Sequence, residues 1–137
     1  MKLFGDFQLR FRTTMPLITD LCIHSRPNFA TFLGPMTGLG HSSIIFMIEC
    51  QMQLLVNILR EMWSRKATRV EVKPSATDRL LREWELKVDK SVWRPGNCDS
   101  FYQRGSADKR PWLLWPGTTT EFWYRTKDLI TDDFKFE

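Results

Sequence analysis

The stretch GPMTGLGHSSIIFMIECQ, residues 34–51, joins a glycine-rich loop to a long apolar run through the polar residues His41, Ser42 and Ser43. Glycine lets the backbone approach another group more closely than a residue with a side chain allows. The first amides of a helix lack intrahelical partners and carry the positive end of the helix dipole. The stretch therefore predicts a helix start that faces a negatively polarised group of a ligand. A loop followed by a core helix, with a serine serving only as its cap, explains the spacing equally well.

Several familiar sites are excluded by the same stretch. The last glycine is not followed by Lys-Ser/Thr, so the loop is not a P-loop, and the glycine spacing is not GxGxxG. His41 is placed where it could contact a ligand, although a hydrogen-bonding role at a helix start is the commoner one. His24 is the only other histidine, and no Cys or carboxylate stands at metal-ligand spacing. We therefore predict no metal site and no catalytic Ser-His-Asp or Cys-His set.

The apolar run that follows predicts a long helix from Ser43 to about Ser64. It contains no Gly or Pro, and apolar residues recur at spacings of three and four. Its first turns are apolar nearly all round, which predicts burial on several sides. Glu49 lies within this run, where a buried carboxylate either tunes chemistry through a raised pKa or, as we favour, pairs with a cation in the core.

The remaining elements are predicted from shorter patterns. Alternation predicts a strand at 7–11 and strands at 69–73 and 133–136, and an apolar run predicts a buried strand at 29–33. Pro74 opens a peripheral amphipathic helix, for which Ser75 and Asp78 resemble a capping box and whose apolar stripe comprises Leu80, Leu81, Trp84 and Val88. A tight turn at 116–117 precedes a short helix at 121–125, capped from 118–120.

Composition limits the classes of protein that this chain can belong to. The 137 residues are 42% hydrophobic, which suits one domain or a piece of one. The net charge of +4 comes from Lys and Arg that alternate with Asp and Glu, a pattern more typical of a solvated helix face than of a nucleic-acid surface. Aromatic residues at 112–124 could stack on bases, yet no RNA- or DNA-binding motif accompanies them, so packing is the preferred interpretation.

Cellular setting is predicted from the cysteines and from hydropathy. The three cysteines are odd in number and contain no CxxC, which favours neither disulfides nor zinc and suits a reduced cytoplasmic setting. No uncharged apolar run reaches 18 residues, so we predict no membrane span. The first residues also lack the continuous hydrophobic region of a secretory signal.

Four stretches, taken in order, resemble the C-terminal portion of the class B flavoprotein monooxygenases, a family that includes the Baeyer-Villiger and flavin-containing monooxygenases. They are RPNFATFLGPMTGLGHSSIIFMIECQ at 26–51, SVWRPGNCDSFYQRG at 91–105, LLWPGTTTEFW at 113–123 and DDFKF at 132–136. The family pattern has Asn where Met36 stands and Trp where Phe101 stands. Each stretch alone is modestly specific, and the four together are strongly so.

The resemblance implies a fold and a cofactor. The fold class is α/β: a mixed fragment with one long buried helix, a peripheral helix and short strands, forming at 26–137 the C-terminal part of a FAD/NAD(P)-binding Rossmann-like domain after a divergent segment at 1–25. The helix start near Ser43 would face the isoalloxazine of FAD, where its dipole stabilises negative charge on the flavin. The implied FAD-binding residues are Gly34, Pro35, Thr37, Gly38, His41, Ser42, Ser43 and Ile44.

The activity that the resemblance implies is oxygenation of ketones or heteroatoms in a small organic substrate through a flavin peroxide, with NADPH as reductant. The family's two GxGxxG motifs, its FxGxxxHxxxWP-type fingerprint and its active-site Arg do not occur in this sequence. We therefore predict that the chain is inactive alone and is completed by an N-terminal portion or a partner chain. The alternative is a non-catalytic basic module that binds protein or nucleic acid.

Overall fold

The computed structural model describes residues 17–18, 22–23, 26–40, 42–92, 102 and 111–137. The described part mixes helix and strand, as predicted. Its elements are β1 (Leu17–Ile18), β2 (Cys22–Ile23), α1 (Ile44–Ser64), β3 (Val70–Val72), α2 (Pro74–Asp89), α3 (Thr119–Thr126) and β4 (Phe134–Phe136), with a 3-10 turn at Thr131–Asp133. The strand predicted at 7–11 lies outside the described residues. No helix in these ranges is both long and apolar enough to cross a bilayer.

Two antiparallel strand pairs form the sheets of the described chain. β1 pairs with β2, and β3 pairs with β4 so that Val70 lies opposite Phe136 and Val72 opposite Phe134. Alternate side chains of a strand point to the same face. Val70, Val72 and Phe134 accordingly share one buried cluster with residues of α1. The strands predicted near 69–73 and 133–136 are confirmed.

Asn28 holds the other edge of β3. Its backbone N–H donates to the carbonyl of Val70 at 3.0 Å, and its side-chain Oδ1 accepts the N–H of the same residue at 2.9 Å. Its Nδ2 donates to the carbonyl of Thr68 at 3.0 Å. With φ at 57°, Asn28 adopts the left-handed conformation that Asn tolerates better than most residues. Asn28 thus acts as a one-residue partner for the strand.

The buried strand predicted at 29–33 is wrong. The chain turns at 27–28, 32–33 and 35–36, and Phe29, Phe32 and Leu33 are 49%, 39% and 43% exposed. Leu33 has φ at 52°, which no extended strand contains. Because Asn28 turns the chain away from β3, the apolar residues that follow do not enter the sheet.

Helix α1 begins at Ile44 and ends at Ser64, close to the predicted bounds. One face is buried and consists of Met47, Cys50, Gln51, Leu54 and Ile58. This face packs on α3 and on the β3–β4 sheet. The expected burial on several sides is wrong, and Glu49 is exposed, so it is not a buried carboxylate. The physical reason is that no described element covers the opposite face.

Helix α2 buries most of the predicted stripe: Leu80, Trp84 and Val88 are at most 5% exposed, and Leu81 is partly buried. The predicted capping box is wrong. The helix begins at Pro74, two residues earlier than the box requires, with Lys73 as a cap that makes no side-chain hydrogen bond and Pro at the first turn. Proline suits this first position because its missing N–H would have no helical partner there. Ser75 therefore lies inside the helix.

Helix α3 confirms the predicted short helix and its cap, since the Thr118 hydroxyl accepts the Glu121 N–H at 3.1 Å. The indole Nε1 of Trp115 donates to the carbonyl of Thr118 at 3.0 Å. A side chain on Gly117 would collide with the Glu121 carboxylate and lie 2.8 Å from the Trp115 Nε1. The Trp-Pro-Gly motif is thus a compact corner that needs glycine.

Ion pairs connect α2 to α3 around this corner. Lys87 pairs with Glu121, and Arg125 pairs with Glu83 at 2.7 Å. The cationic groups of Lys87 and Arg125 lie 5.2 and 5.5 Å from the centre of the Trp115 ring. Burial, and then the neighbouring Arg125, lower the pKa of Lys87.

Candidate functional site

The loop that precedes α1 is attached to the segment at 111–115 by backbone hydrogen bonds. The Gly38 N–H donates to the Leu113 carbonyl at 2.7 Å, and the Trp115 N–H donates to the Gly38 carbonyl at 2.8 Å. A Cβ on Gly38 would lie 2.7 Å from that Leu113 oxygen, closer than real Cβ contacts allow. The close approach that Gly38 permits is therefore to the chain's own backbone.

Met36 holds the same loop in place through its backbone and its side chain. Its N–H donates to the Trp112 carbonyl at 2.7 Å, and its side chain, 2% exposed, packs with Trp84 and Val88. Its φ is 67°, in the left-handed region. The family pattern has Asn here, which adopts this conformation at less cost than Met does. In this chain an apolar side chain therefore occupies a left-handed position of the loop.

Gln51 joins the loop to α1, and sequence reasoning missed it. The side chain is fully buried, and its Oε1 accepts the Leu33 N–H at 3.2 Å. The available signal was a polar residue at helical spacing between the buried Met47 and Leu54. A buried amide needs hydrogen-bond partners. The hydrogen bond from the Leu33 N–H to Gln51 therefore attaches the loop to α1.

The start of α1 is open to solvent. Ser42 and Ser43 are exposed, and Ile44 and Ile45 are 37% and 66% exposed. Ser43 caps the helix, since its Oγ accepts the Phe46 N–H at 3.3 Å. The N–H groups of Ile44 and Ile45 come earlier in the turn and have no acceptor within the helix. The first turn contains no acidic residue, so no carboxylate there offsets the positive end of the dipole.

The predicted site residues therefore fall into two groups. Thr37 is fully buried and its hydroxyl donates to the Gly34 carbonyl at 2.6 Å, so Gly34, Pro35, Thr37 and Gly38 form the supporting loop. Ser42, Ser43 and Ile44 form the exposed tip. His41 lies outside the described residues. Direct contact of any of these residues with FAD stays a prediction.

An isoalloxazine edge fits this tip in two respects. The tip residues are exposed to solvent, and the helix start has N–H donors and a positive dipole end of the kind that suit the carbonyl oxygens of the pyrimidine edge. The fit covers only that edge, because the GxGxxG loop that would hold a dinucleotide diphosphate does not occur in the sequence.

The aromatic residues near α3 mostly serve packing. Trp115 and Phe122 are buried and meet edge to face, with ring centres 5.5 Å apart. Trp84 and Trp112 stack at 4.7 Å. Trp123 and Tyr124 are exposed, and the Lys127 Nζ lies 5.5 and 5.4 Å from their ring centres. Within the described ranges, no group of three metal-ligating side chains comes together.

Curated proteins with similar sequences are monooxygenases. The chain is 38% identical over 96 residues to a Baeyer-Villiger monooxygenase of Pseudomonas aeruginosa, covering 70% of this chain and 18% of that protein. It is 38% identical over 102 residues to a Baeyer-Villiger monooxygenase of Streptomyces coelicolor, covering 74% and 19%. It is 28% identical over 121 residues to the FAD-binding monooxygenase ktnD of Aspergillus niger, covering 83% and 19%.

These relatives define the class, that of FAD-binding monooxygenases. Within that class, the chain is homologous to part of the Baeyer-Villiger monooxygenases, and the resemblance that its four motifs predicted is confirmed. The chain spans about a fifth of the length of these curated relatives, at 18% and 19%. No family model matches the chain. No solved structure matches it either.

Proposed function

We propose that this chain supplies the flavin-facing segment of an FAD-dependent monooxygenase. The observation that carries the proposal is the exposed, Ser43-capped start of α1, which has no acidic residue in its first turn. Homology to FAD-binding and Baeyer-Villiger monooxygenases supports the choice of FAD as the ligand. FAD, when bound, supplies the oxygen-activating redox chemistry.

The residues of the chain would position and polarise the flavin. The N–H groups at Ile44 and Ile45 would bind the acceptors of the pyrimidine edge and favour negative charge there. Gly38 and Gln51 would keep the tip in place, since both fix the loop through hydrogen bonds to other elements. Such rigid support is what a binding site requires of its surroundings.

Finer features extend the proposal. Residues 26–137 would form the C-terminal part of a Rossmann-like FAD-binding domain, and residues 1–25 a divergent lead-in. NADPH would reduce the flavin, and the substrate would be a small organic ketone or heteroatom compound. The order of the four motifs and the names of the relatives support this extension.

A chimera tests the proposed contact. In the Pseudomonas aeruginosa relative, the segment that matches this chain is replaced by the sequence of this chain, and bound FAD is measured by the absorbance of flavin released on denaturation. We expect Ser43→Asp to weaken FAD binding about fivefold or more, because a carboxylate still caps the helix but opposes negative charge on the flavin.

Thr118→Asp is the matched control. Thr118 caps α3 in the same way that Ser43 caps α1, through a hydroxyl that accepts an N–H of the first turn. We expect the chimera with Thr118→Asp to retain its FAD. Equal FAD affinity in the two substituted chimeras would contradict a flavin contact at the start of α1.

A further inference from the structure

The exposed side of α1 carries an apolar stripe. Ile45, Met52, Leu59 and Trp63 are 66%, 48%, 54% and 88% exposed, and Val56 lies between them at the same helical spacing. Side chains at spacings of three and four share one helix face. We call these five residues the α1 stripe. A long helix that is apolar on both faces is typical of a helix covered on both sides.

An apolar groove adjoins the stripe. It lies between the segment at 26–30, α1 and β3, shares Leu59 with the stripe, and has a volume of about 160 Å³. A cavity of ~150 Å³ lined by aliphatic and aromatic side chains admits a group the size of benzene. Small-molecule sites are usually larger, at roughly 300–1,000 Å³. The groove is therefore sized for a single apolar side chain.

The charge along the face argues against a parallel pairing with a second copy of this chain. Glu49 occupies the stripe's spacing between Ile45 and Met52 and is exposed. A parallel pairing of two α1 helices would bring two Glu49 carboxylates together, and like charges in a buried seam are destabilising. A different polypeptide can avoid this repulsion by leaving Glu49 in solvent or placing a cation beside it.

The lengths of the relatives indicate which polypeptide would cover the α1 stripe. The matched region is 18% of the Pseudomonas aeruginosa protein and 19% of the Streptomyces coelicolor protein, so most of each relative lies outside it. The stripe also begins at Ile45, directly beside the proposed flavin-facing tip. A polypeptide that completes the flavin site would pass next to this end of α1.

We propose that the α1 stripe is the docking surface for the remainder of a monooxygenase polypeptide, with one of its apolar side chains anchored in the groove beside Leu59. This inference rests on the proposed function and names the partner of that site. Anchoring of a single side chain in a desolvated pocket is the usual centre of a tight interface.

The test uses the full 137-residue chain and the Pseudomonas aeruginosa relative from which the matching segment has been deleted. Their association is measured by isothermal titration calorimetry. We expect the two to bind, and Leu59→Glu to weaken binding about tenfold or more. Leu86→Glu is the matched control, because Leu86 is 62% exposed on α2, away from the stripe. We expect it to bind as the unsubstituted chain does.

A second measurement covers the case in which the shortened relative does not fold. In the chimera, Leu59→Glu should lower the melting temperature while Leu86→Glu should not, and in the isolated chain neither should lower it. Equal effects of the two substitutions in the chimera would overturn the proposal. A dimer of the isolated chain that Leu59→Glu dissociates would also overturn it. Neither readout depends on FAD, so failure here is distinguishable from failure of the Ser43→Asp test.

Discussion

Met36 shows two effects in opposition at one residue. Its left-handed backbone, with φ at 67°, costs a non-glycine residue about 1 kcal/mol. Its side chain fills a buried site against Trp84 and Val88, and removing such a side chain costs roughly 2–5 kcal/mol. The packing of the side chain therefore outweighs the strain of the backbone. This explains how Met can stand where the family pattern has Asn.

We expect Met36→Gly to lower the free energy of unfolding by about 2 kcal/mol or more, because the lost packing exceeds the relieved strain. Urea denaturation measures the change. Leu33→Gly is the comparison, since Leu33 has φ at 52° but is 43% exposed. We expect that substitution to stay within about 1 kcal/mol of the unsubstituted chain. Equal losses at the two positions would contradict the packing argument.

Cys50 is a buried free thiol beside α3. Burial raises its pKa, and a hydrogen bond with Thr126 opposes that rise in part. A pKa raised in the folded state means that folding favours the protonated thiol. The resulting stability is fully present below the pKa of the unfolded thiol and is lost as pH rises through the folded pKa.

We therefore expect the stability advantage of the unsubstituted chain over Cys50→Ser to shrink between pH 7 and pH values above about 9, where a free thiol ionises. Urea denaturation at both pH values measures it. Alkylation at Cys50, followed by mass spectrometry of its peptide, should also be slower in the folded chain than in urea. An advantage that grows with pH would refute the assignment.

At the scale of elements, β3 is held along both of its edges. β4 holds one edge, and the side chain and backbone of Asn28 hold the other. Asn28 combines a left-handed conformation with two side-chain hydrogen bonds, a pair of properties that few other residues offer.

We expect Asn28→Ala to lower the free energy of unfolding by about 2–3 kcal/mol, because it removes two hydrogen bonds of about 1 kcal/mol each and adds strain. Asn28→Gly keeps the backbone conformation and should cost about 1 kcal/mol less than Asn28→Ala. Urea denaturation of both variants separates the two effects. Identical losses would show that strain plays no part.

Local patterns predicted the elements whose causes are local. The apolar spacing of α1, the stripe of α2 and the Thr118 cap of α3 each involve residues within a few positions of one another. The strand predicted at 29–33 failed because the turn at Asn28 is fixed by Val70, which is distant in sequence. The capping box failed because Pro74 already occupied the helix start.

The candidate site, like the fold, could be predicted only where its causes lie close together in the sequence. The exposed tip at Ser43 follows from a local motif, whereas the support beneath it does not. Gln51 binds Leu33, and Gly38 binds Leu113, and no short-range pattern reveals either pairing. The family resemblance predicted which residues face the cofactor, and the structure shows that Thr37 and Gly38 make hydrogen bonds that hold the loop.

At the scale of the whole molecule, two dinucleotide-binding motifs of the family do not occur in the sequence. It contains neither a GxGxxG motif nor the family's fingerprint. We expect the purified 137-residue chain, supplied with FAD, NADPH and a ketone, to show no sustained NADPH oxidation in a spectrophotometric assay. The chimera with the Pseudomonas aeruginosa relative serves as the positive control. Sustained turnover by the isolated chain would refute the prediction.

The pairing of β3 with β4 also has a consequence for how the chain acquires its structure. Val72 pairs with Phe134, so the sheet joins residues from the middle and the last part of the sequence. Closing so long a loop is entropically unfavourable, and contacts of this kind slow folding. During synthesis on the ribosome, β3 cannot pair with β4 until Phe134–Phe136 have been synthesised and have emerged. Until then this edge of β3 is unpaired, and unpaired strand edges favour association with other chains.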